Sequence, residues 1–230
     1  MPSRSSRSSH ARKQAQAWAS AQPGSALNLS SQEIASLNAL GSGAAVATVE
    51  QAVRSLLLAR LQAYQSQGLA GIAPYARSDS SQRSPADDLR FASQAAKKLQ
   101  KYVPAAYQML LDYPNSKAAG AQEAFRWTHT IAHGNPTVSL THSLFVPDGD
   151  AWIAVQRQFY ASTGYNCEQA VGAFLPVAGG TVVVYSNRTS TDQVMGFGGS
   201  AKRSIGSRLL ASQLEEIYKK ARGAAQKSGS

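Results

Sequence analysis

Three polar residues, His129, His142 and Arg157, are predicted to lie on the apolar face of a β-sheet. A guanidinium group in apolar surroundings needs an acid, a carbonyl, water or an anionic ligand beside it, because an unpaired buried charge is very costly. None of the thirteen acidic residues lies on the predicted inner face of the three strands concerned. The pattern therefore predicts an apolar cavity with a cationic floor, suited to a carboxylate or phosphate on an apolar molecule.

The roles expected of these residues follow from their chemistry. Arg157 would hold the anionic group, while His142 and His129 would orient the ligand or act as acid and base near neutral pH. An alternative is that Arg157 pairs with Asp192 or Glu168 and that the histidines bond backbone carbonyls. Two histidines without a placed third ligand are too few for a metal site, and no cofactor is predicted. The apolar ligand-binding residues are predicted to be Trp127, Leu140, Val155 and Phe159.

Alternation of apolar and polar residues places these side chains on strands. Three strands are predicted over Phe125–Ala132, Thr137–Val146 and Ala151–Tyr160, joined by turns at Gly134-Asn135 and Asp148-Gly149. These turns set His129 opposite Leu140 and His142 opposite Val155, so that His142 is diagonal to both His129 and Arg157. All three apolar sets then share one face. Two further strands, Ala170–Val177 and Thr181–Arg188, flank Gly179-Gly180.

Helices are predicted on both sides of the sheet region in the sequence. Residues 31–120 carry helical patterns, beginning with a capping box formed by Ser30 and Glu33. An amphipathic helix is predicted over 200–223. The expected architecture is a single α+β domain over 31–224, with an antiparallel β-meander covered on one face by the N-terminal helices and the C-terminal helix. Residues 1–30 are predicted to be a disordered basic arm, and residues 225–230 a disordered tail.

Composition and charge suggest a second function. The chain has a net charge of +10 and a single cysteine, Cys167, so it cannot form an internal disulfide. No apolar run is long enough to cross a membrane, and a cytoplasmic location is expected. The leading hypothesis is that the protein binds an apolar small molecule bearing an anionic group, with or without turnover, between the sheet and the C-terminal helix. The alternative is a non-catalytic interaction protein whose basic arm and last helix bind nucleic acid or an acidic partner.

Two stretches resemble an uncharacterised group of proteobacterial proteins: Gly68-Leu69-Ala70-Gly71-Ile72-Ala73-Pro74-Tyr75 and Asn187-Arg188-Thr189-Ser190-Thr191-Asp192-Gln193-Val194. The resemblance implies a bacterial source and brings no activity or site residue with it. At the level of the fold, a meander closed by a long C-terminal helix resembles a START-type helix-grip domain. A cone-shaped NTF2-like fold is the alternative, since helices precede the sheet.

Overall fold

The computed structural model describes residues 4–132, 135–192 and 219. The chain divides into two compact units, Met1–Ser190 and Thr191–Ser230. The predicted C-terminal helix over 200–223 and the tail over 225–230 belong to the second unit and lie outside the described residues, apart from Lys219, which is helical. The first unit has helices followed by a five-stranded antiparallel sheet, which confirms the predicted α+β class.

The described helices of the first unit precede the large sheet in the chain. They are α1 (Arg4–Ala19), α2 (Ser31–Asn38), α3 (Val46–Gln67), α4 (Pro85–Gln94), α5 (Lys97–Tyr102) and α6 (Pro104–Asp112). A 3-10 helix, Gly68–Gly71, follows α3. Before α4, two antiparallel strands of two residues each, β1 (Tyr75–Ala76) and β2 (Gln82–Arg83), pair with each other.

The large sheet is a meander in which each strand pairs with the next one in the chain. Its strands are β3 (Gln122–Ala132), β4 (Asn135–Asp148), β5 (Ala151–Ala161), β6 (Cys167–Val177) and β7 (Gly180–Ser190). All five were predicted, and each is as long as predicted or longer. No helix among the described residues is long and apolar enough to cross a bilayer.

The N-terminal segment differs from the predicted disordered arm. The structure places helix α1 there, and it buries Ala15 and Ala19 against Val49 of α3. Further along, Leu29 is fully buried, and Asn28 donates from its amide to the backbone carbonyls of Ala161 and Tyr165. Small alanines permit close approach of the two helices, a form of packing that a composition rich in Ser, Ala and Gln does not reveal.

A side-chain cap fixes the start of helix α2. Ser30 accepts a hydrogen bond from the backbone of Glu33, whose carboxylate in turn accepts from the backbone of Ser30, so the predicted capping box is confirmed. The same carboxylate of Glu33 accepts from Arg60 at 2.6 Å, which ties α2 to α3. The Arg60 guanidinium is buried and lies 4.3 Å from the ring centroid of Tyr160. One glutamate therefore serves both as a helix cap and as the partner of a buried cation.

The second half of the region predicted to be helical, 31–120, contains three short helices. Helix α4 ends at Gln94, and α5 and α6 are separate short helices. Val103 lies outside the helical region (φ −135°, ψ 66°) because a proline follows it, and a residue before proline is sterically excluded from the helical conformation. Pro104 then occupies the first turn of α6, where a missing N–H costs nothing.

The strand register differs from the predicted one by two residues in each of the first two hairpins. His129 pairs with Val138 instead of Leu140, and His142 pairs with Arg157 instead of Val155. Side chains alternate faces along a strand, so a two-residue shift leaves each residue of these strands on its predicted face, up to Gln158 of β5. The apolar pattern therefore could not distinguish the two registers. The observed one places Phe125, His142 and Arg157 side by side on adjacent strands.

A bulge between β4 and β5 changes the packing at one end of the sheet. The register shifts between Leu140 and Thr141, so that Leu140 pairs with Tyr160 while Thr141 pairs with Gln158. Phe159 is the extra residue on β5, and both it and Tyr160 are buried in the same cluster. Helices α3 and α4 pack on this cluster, whereas α5 and α6 pack on Leu144, Val146, Ile153 and Val155 nearer the other end of these strands.

The turn after α3 requires a glycine at Gly68. Its φ is +59°, and a Cβ added there would lie 1.8 Å from the backbone oxygen of Tyr113. We expect Gly68→Ala to lower the free energy of unfolding by at least about 2 kcal/mol, since the backbone strain alone costs roughly 1–3 kcal/mol. Chemical denaturation measures the change.

The matched control for this substitution is Gly43→Ala. A Cβ at Gly43 would meet nothing within 4 Å, and the residue does not need a positive φ. We expect a change within about 0.5 kcal/mol at this surface position. Equal stability of the two variants would contradict the requirement for glycine at Gly68.

Candidate functional site

Arg157 lies in the middle of the sheet and is only 2% exposed. All three nitrogens of its guanidinium donate hydrogen bonds. Nε and Nη2 donate to Oε1 of Gln169 at 3.1 and 2.9 Å, and Nη2 also donates to Oγ of Ser93 at 3.1 Å and to the backbone oxygen of Leu110 at 2.6 Å. Nη1 donates to the hydroxyl of Tyr64 at 3.3 Å. The guanidinium thus connects β5 to β6, α3, α4 and α6.

The partners of Arg157 are all neutral. Neither Glu168 nor Asp192, the acids considered from the sequence, is among them, and no carboxylate in the described ranges forms an ion pair with Arg157. Glu168 instead accepts a hydrogen bond from Thr189 on β7. Several neutral acceptors can offset the desolvation of a buried charge only when they are correctly placed, so this cluster tolerates little change.

A chain of hydrogen bonds leads from Arg157 to the protein surface. The Tyr64 hydroxyl is 3.0 Å from Nδ1 of His142, and Nε2 of His142 is 3.1 Å from the carboxylate of Glu123. Tyr64 accepts from Arg157, so its single proton is free to be donated to Nδ1, which leaves Nε2 of the neutral imidazole to donate to Glu123. Tyr64 and His142 are buried, whereas Glu123 is 48% exposed.

Burial, and after it the charge of Arg157, lowers the pKa of His142 to about 3. The carboxylate of Glu123 favours the protonated imidazole, but it is half-exposed and therefore screened by water. Burial also raises the pKa of the Tyr64 hydroxyl. Tyr64 and His142 are therefore both neutral at physiological pH. The hydrogen bonds between Arg157 and Glu123 orient these two side chains, and neither side chain adds a charge.

Aromatic rings enclose this chain. The ring of Tyr64 is stacked on Phe159 with centroids 4.1 Å apart, and the imidazole of His142 is stacked on Phe125 at 4.4 Å. Tyr113 lies against both Tyr64 and His142. The rings exclude water from the polar atoms between them, which strengthens the hydrogen bonds that those atoms make.

A groove of about 470 Å³ opens beside this cluster, between helices α1 and α3 and the edge of the sheet formed by β3 and β4. Most of its lining is apolar and includes Trp18, Val53, Leu57, Phe125, Trp127 and Leu140. Trp127 is 67% exposed, an unusually open position for the largest apolar side chain. The ring of Phe125 contributes to both places, since it lines the groove and stacks on His142.

Charged side chains in the groove lining are mainly basic. Arg54 of α3 and Arg126 of β3 contribute to the lining together with His129, and Glu50 is the single acid among the lining residues that the structure describes. Neither arginine forms an ion pair with a carboxylate among the residues that the structure describes. Both side chains are exposed. The groove therefore presents an apolar surface with two unpaired cations.

The structure separates the predicted site residues into two groups. Trp127, Leu140 and His129 line the groove, while Arg157, His142, Val155 and Phe159 are buried in the core and do not. Sequence reasoning missed Tyr64, Gln169 and Glu123, which complete the hydrogen-bond chain. Tyr64 lies on α3 and belongs to an apolar cluster, and no signal in the sequence marks a tyrosine whose hydroxyl is used inside the core. Arg54 was also missed. It lies at an exposed position of α3, where an arginine usually indicates only contact with solvent.

Cys167 is a free thiol and is buried. Burial, with a contribution from the nearby negative charge of Asp88, raises its pKa to about 12. A nucleophilic cysteine requires the thiolate, which is scarce at neutral pH under these conditions. The cysteine is therefore a core residue.

The hydroxyl of Tyr64 can be tested by Tyr64→Phe. This change keeps the ring that stacks on Phe159 but leaves Nη1 of Arg157 and Nδ1 of His142 without their partner. We expect the free energy of unfolding to fall by about 1–3 kcal/mol, the usual cost of an unsatisfied buried polar group. The control is Tyr102→Phe at a 60% exposed position, where a change within about 0.5 kcal/mol is expected. Equal urea-denaturation midpoints for the two variants would contradict the proposed chain.

The protonation state of His142 can be measured directly by NMR. Its folded-state pKa lies below the unfolded value, so the unfolded chain binds the proton more tightly. This contribution to stability is complete above about pH 6.5 and is lost as the pH falls toward 3, with a slope of up to about 1.4 kcal/mol per pH unit. We expect ¹⁵N spectra to show a neutral Nε2–H tautomer at pH 5. An imidazolium signal from His142 at that pH would contradict the assignment.

Comparison with known proteins gives no further guide to this site. No protein-family model, no curated protein and no solved structure matches the chain. The analogy to START-type domains thus has no support from a known structure, and the assignment that stands is the coarser one, an α+β unit with a five-stranded antiparallel sheet.

Proposed function

We propose that this protein binds an apolar molecule bearing an anionic group in the groove between α1, α3 and the edge of the sheet. The observation that carries the proposal is an apolar groove of about 470 Å³ with two arginines in its lining that have no acidic partner in the described part of the chain. The proposal differs from the sequence-based hypothesis in the position of the cavity and in the arginines that meet the anion.

The size and lining of the groove favour a small apolar ligand. Pockets for such ligands typically measure roughly 300–1,000 Å³ and are lined mainly by apolar and aromatic side chains with a few polar groups. Trp127 and Leu58, which is 53% exposed, would lose contact with water when a ligand enters. Burial of their apolar surface would supply most of the binding free energy, at roughly 25 cal/mol per Å².

The charges in the lining favour an anionic group on that ligand. Arg54 and Arg126 are on opposite walls of the groove, one on a helix and the other on a strand, and a carboxylate bound between them would receive charge-assisted hydrogen bonds. Within the described ranges, Glu50 is the only acid in the lining. Arg157 is already fully engaged by the fold, so its charge serves to order the core beneath the groove.

Dodecanoate and dodecanol form a matched pair of probes for this proposal. We expect isothermal titration calorimetry to show binding of dodecanoate that is at least about tenfold tighter than that of dodecanol. A charge-assisted hydrogen bond typically contributes about 1.5–3 kcal/mol, which corresponds to a factor of ten or more. The double variant Arg54→Gln/Arg126→Gln should remove this difference and leave the affinity for dodecanol unchanged.

Two further variants separate the groove from the rest of the surface. Trp127→Ser should weaken the binding of both probes, because it removes apolar lining at an exposed position without disturbing the core. Lys98→Gln changes an exposed charge on α5, outside the groove lining, and should leave both affinities unchanged. The proposal fails if dodecanoate does not bind, or if the double arginine variant binds it as tightly as the native protein.

A further inference from the structure

Strand β3 forms one edge of the large sheet and pairs on one side only, with β4. Its pairing with β4 is continuous from Gln122 to Ala132, with no bulge. The strand contains neither lysine nor proline, the two residues that most often protect an edge from pairing with another chain. Within the described residues, the backbone groups of β3 that face away from β4 make no hydrogen bond to another segment.

The groove runs along this edge. Three consecutive residues of β3, Phe125, Arg126 and Trp127, belong to its lining, although successive side chains of a strand point to opposite faces. The groove therefore reaches around the edge of the strand and is not confined to one face of the sheet. Helices α1 and α3 form the opposite wall.

Apolar side chains beside the free edge are left uncovered. Trp127 and Ile131 are on the helix-facing side of β3, and each is 67% exposed. A long regular edge strand that exposes large apolar residues readily pairs with a further strand. A strand added at this position would place every second side chain between the sheet and the helices, in contact with Trp127 and Leu57.

We infer that the ligand of the groove is an extended peptide segment that adds to β3 as a sixth strand of the sheet. This inference rests on the proposed function, of which it specifies the ligand class. Backbone hydrogen bonds to β3 provide affinity, and apolar side chains at alternate positions of the peptide fill the groove. A carboxylate of the peptide, at its C-terminus or on an acidic side chain, lies between Arg54 and Arg126.

Charge complementarity favours such a segment over a second copy of this chain. The described lining of the groove carries two arginines and one glutamate, and the protein has a net charge of +10, so two copies repel each other at long range. A peptide with a free carboxylate and few basic residues is attracted instead. A peptide backbone also supplies a regular series of N–H and C=O groups with which the edge of β3 can pair. A fatty acid has no such series.

A library of short peptides with free C-terminal carboxylates tests the inference on the full-length protein. We expect selection to enrich peptides with apolar residues at alternate positions, and fluorescence polarisation to confirm their binding. Methylation of the peptide nitrogens that face β3 should weaken binding at least about tenfold, and methylation of the nitrogens that face away should not. Hydrogen exchange should show new protection of backbone amides in β3.

The outcomes distinguish this inference from the proposed function. If dodecanoate binds the groove but no peptide is enriched, or if N-methylation has no effect at any position, the inference is overturned and the proposed function stands. If neither dodecanoate nor any peptide binds, both fall. If the β3 amides of the free protein are already protected and native mass spectrometry shows a dimer, a second copy covers the edge and the inference is overturned.

Discussion

The guanidinium of Arg157 is the group around which the rest of the first unit is arranged. A buried cation without an acidic partner must be compensated by neutral acceptors, and each acceptor must be held at hydrogen-bonding distance. Gln169 supplies one from the neighbouring strand, and Ser93, Leu110 and Tyr64 supply the others from α4, α6 and α3. The positions of three helices on the sheet are thus coupled to one side chain, because displacing any of them would leave a buried charge less well solvated.

This arrangement also determines where a ligand can bind. The rings of Phe159, Tyr64 and Tyr113 stack on one another, Tyr64 and Tyr113 also lie against His142, and both His142 and Arg157 are buried. The groove lies at the β3 edge, where Phe125 is shared between the core and the groove. A ligand that contacts Phe125 would therefore touch a ring stacked directly on His142. The groove and the buried network are adjacent, but their polar groups are separate.

The sequence correctly predicted the strands and the side of the sheet on which most of their residues lie, but it did not predict which residues pair across the strands. The period of two explains both outcomes. The period of two in β3, β4 and β5 assigns each residue to a face, and the structure buries Leu140, His142, Leu144, Val155 and Arg157 as expected. The same period is unchanged by a shift of two residues, so the turns had to decide the register. In the second hairpin, the pairing of Asp148 with Ala151 leaves Gly149 and Asp150 as the turn, one residue later than predicted, and Gly149 has a φ of +60°.

Local signals in the sequence determined the capping box at Ser30, the five strands and the presence of an arginine among apolar residues. Each of these depends on interactions between residues close together in the chain or on burial of one face. Only the tertiary structure decided that Arg157 is satisfied by Gln169, Ser93, Leu110 and Tyr64, and that Arg54 and Arg126 both belong to the lining of one groove. Those contacts join residues that are distant in sequence. The hydrogen-bond partners of Arg157 and the position of the groove both depend on how whole helices pack against the sheet.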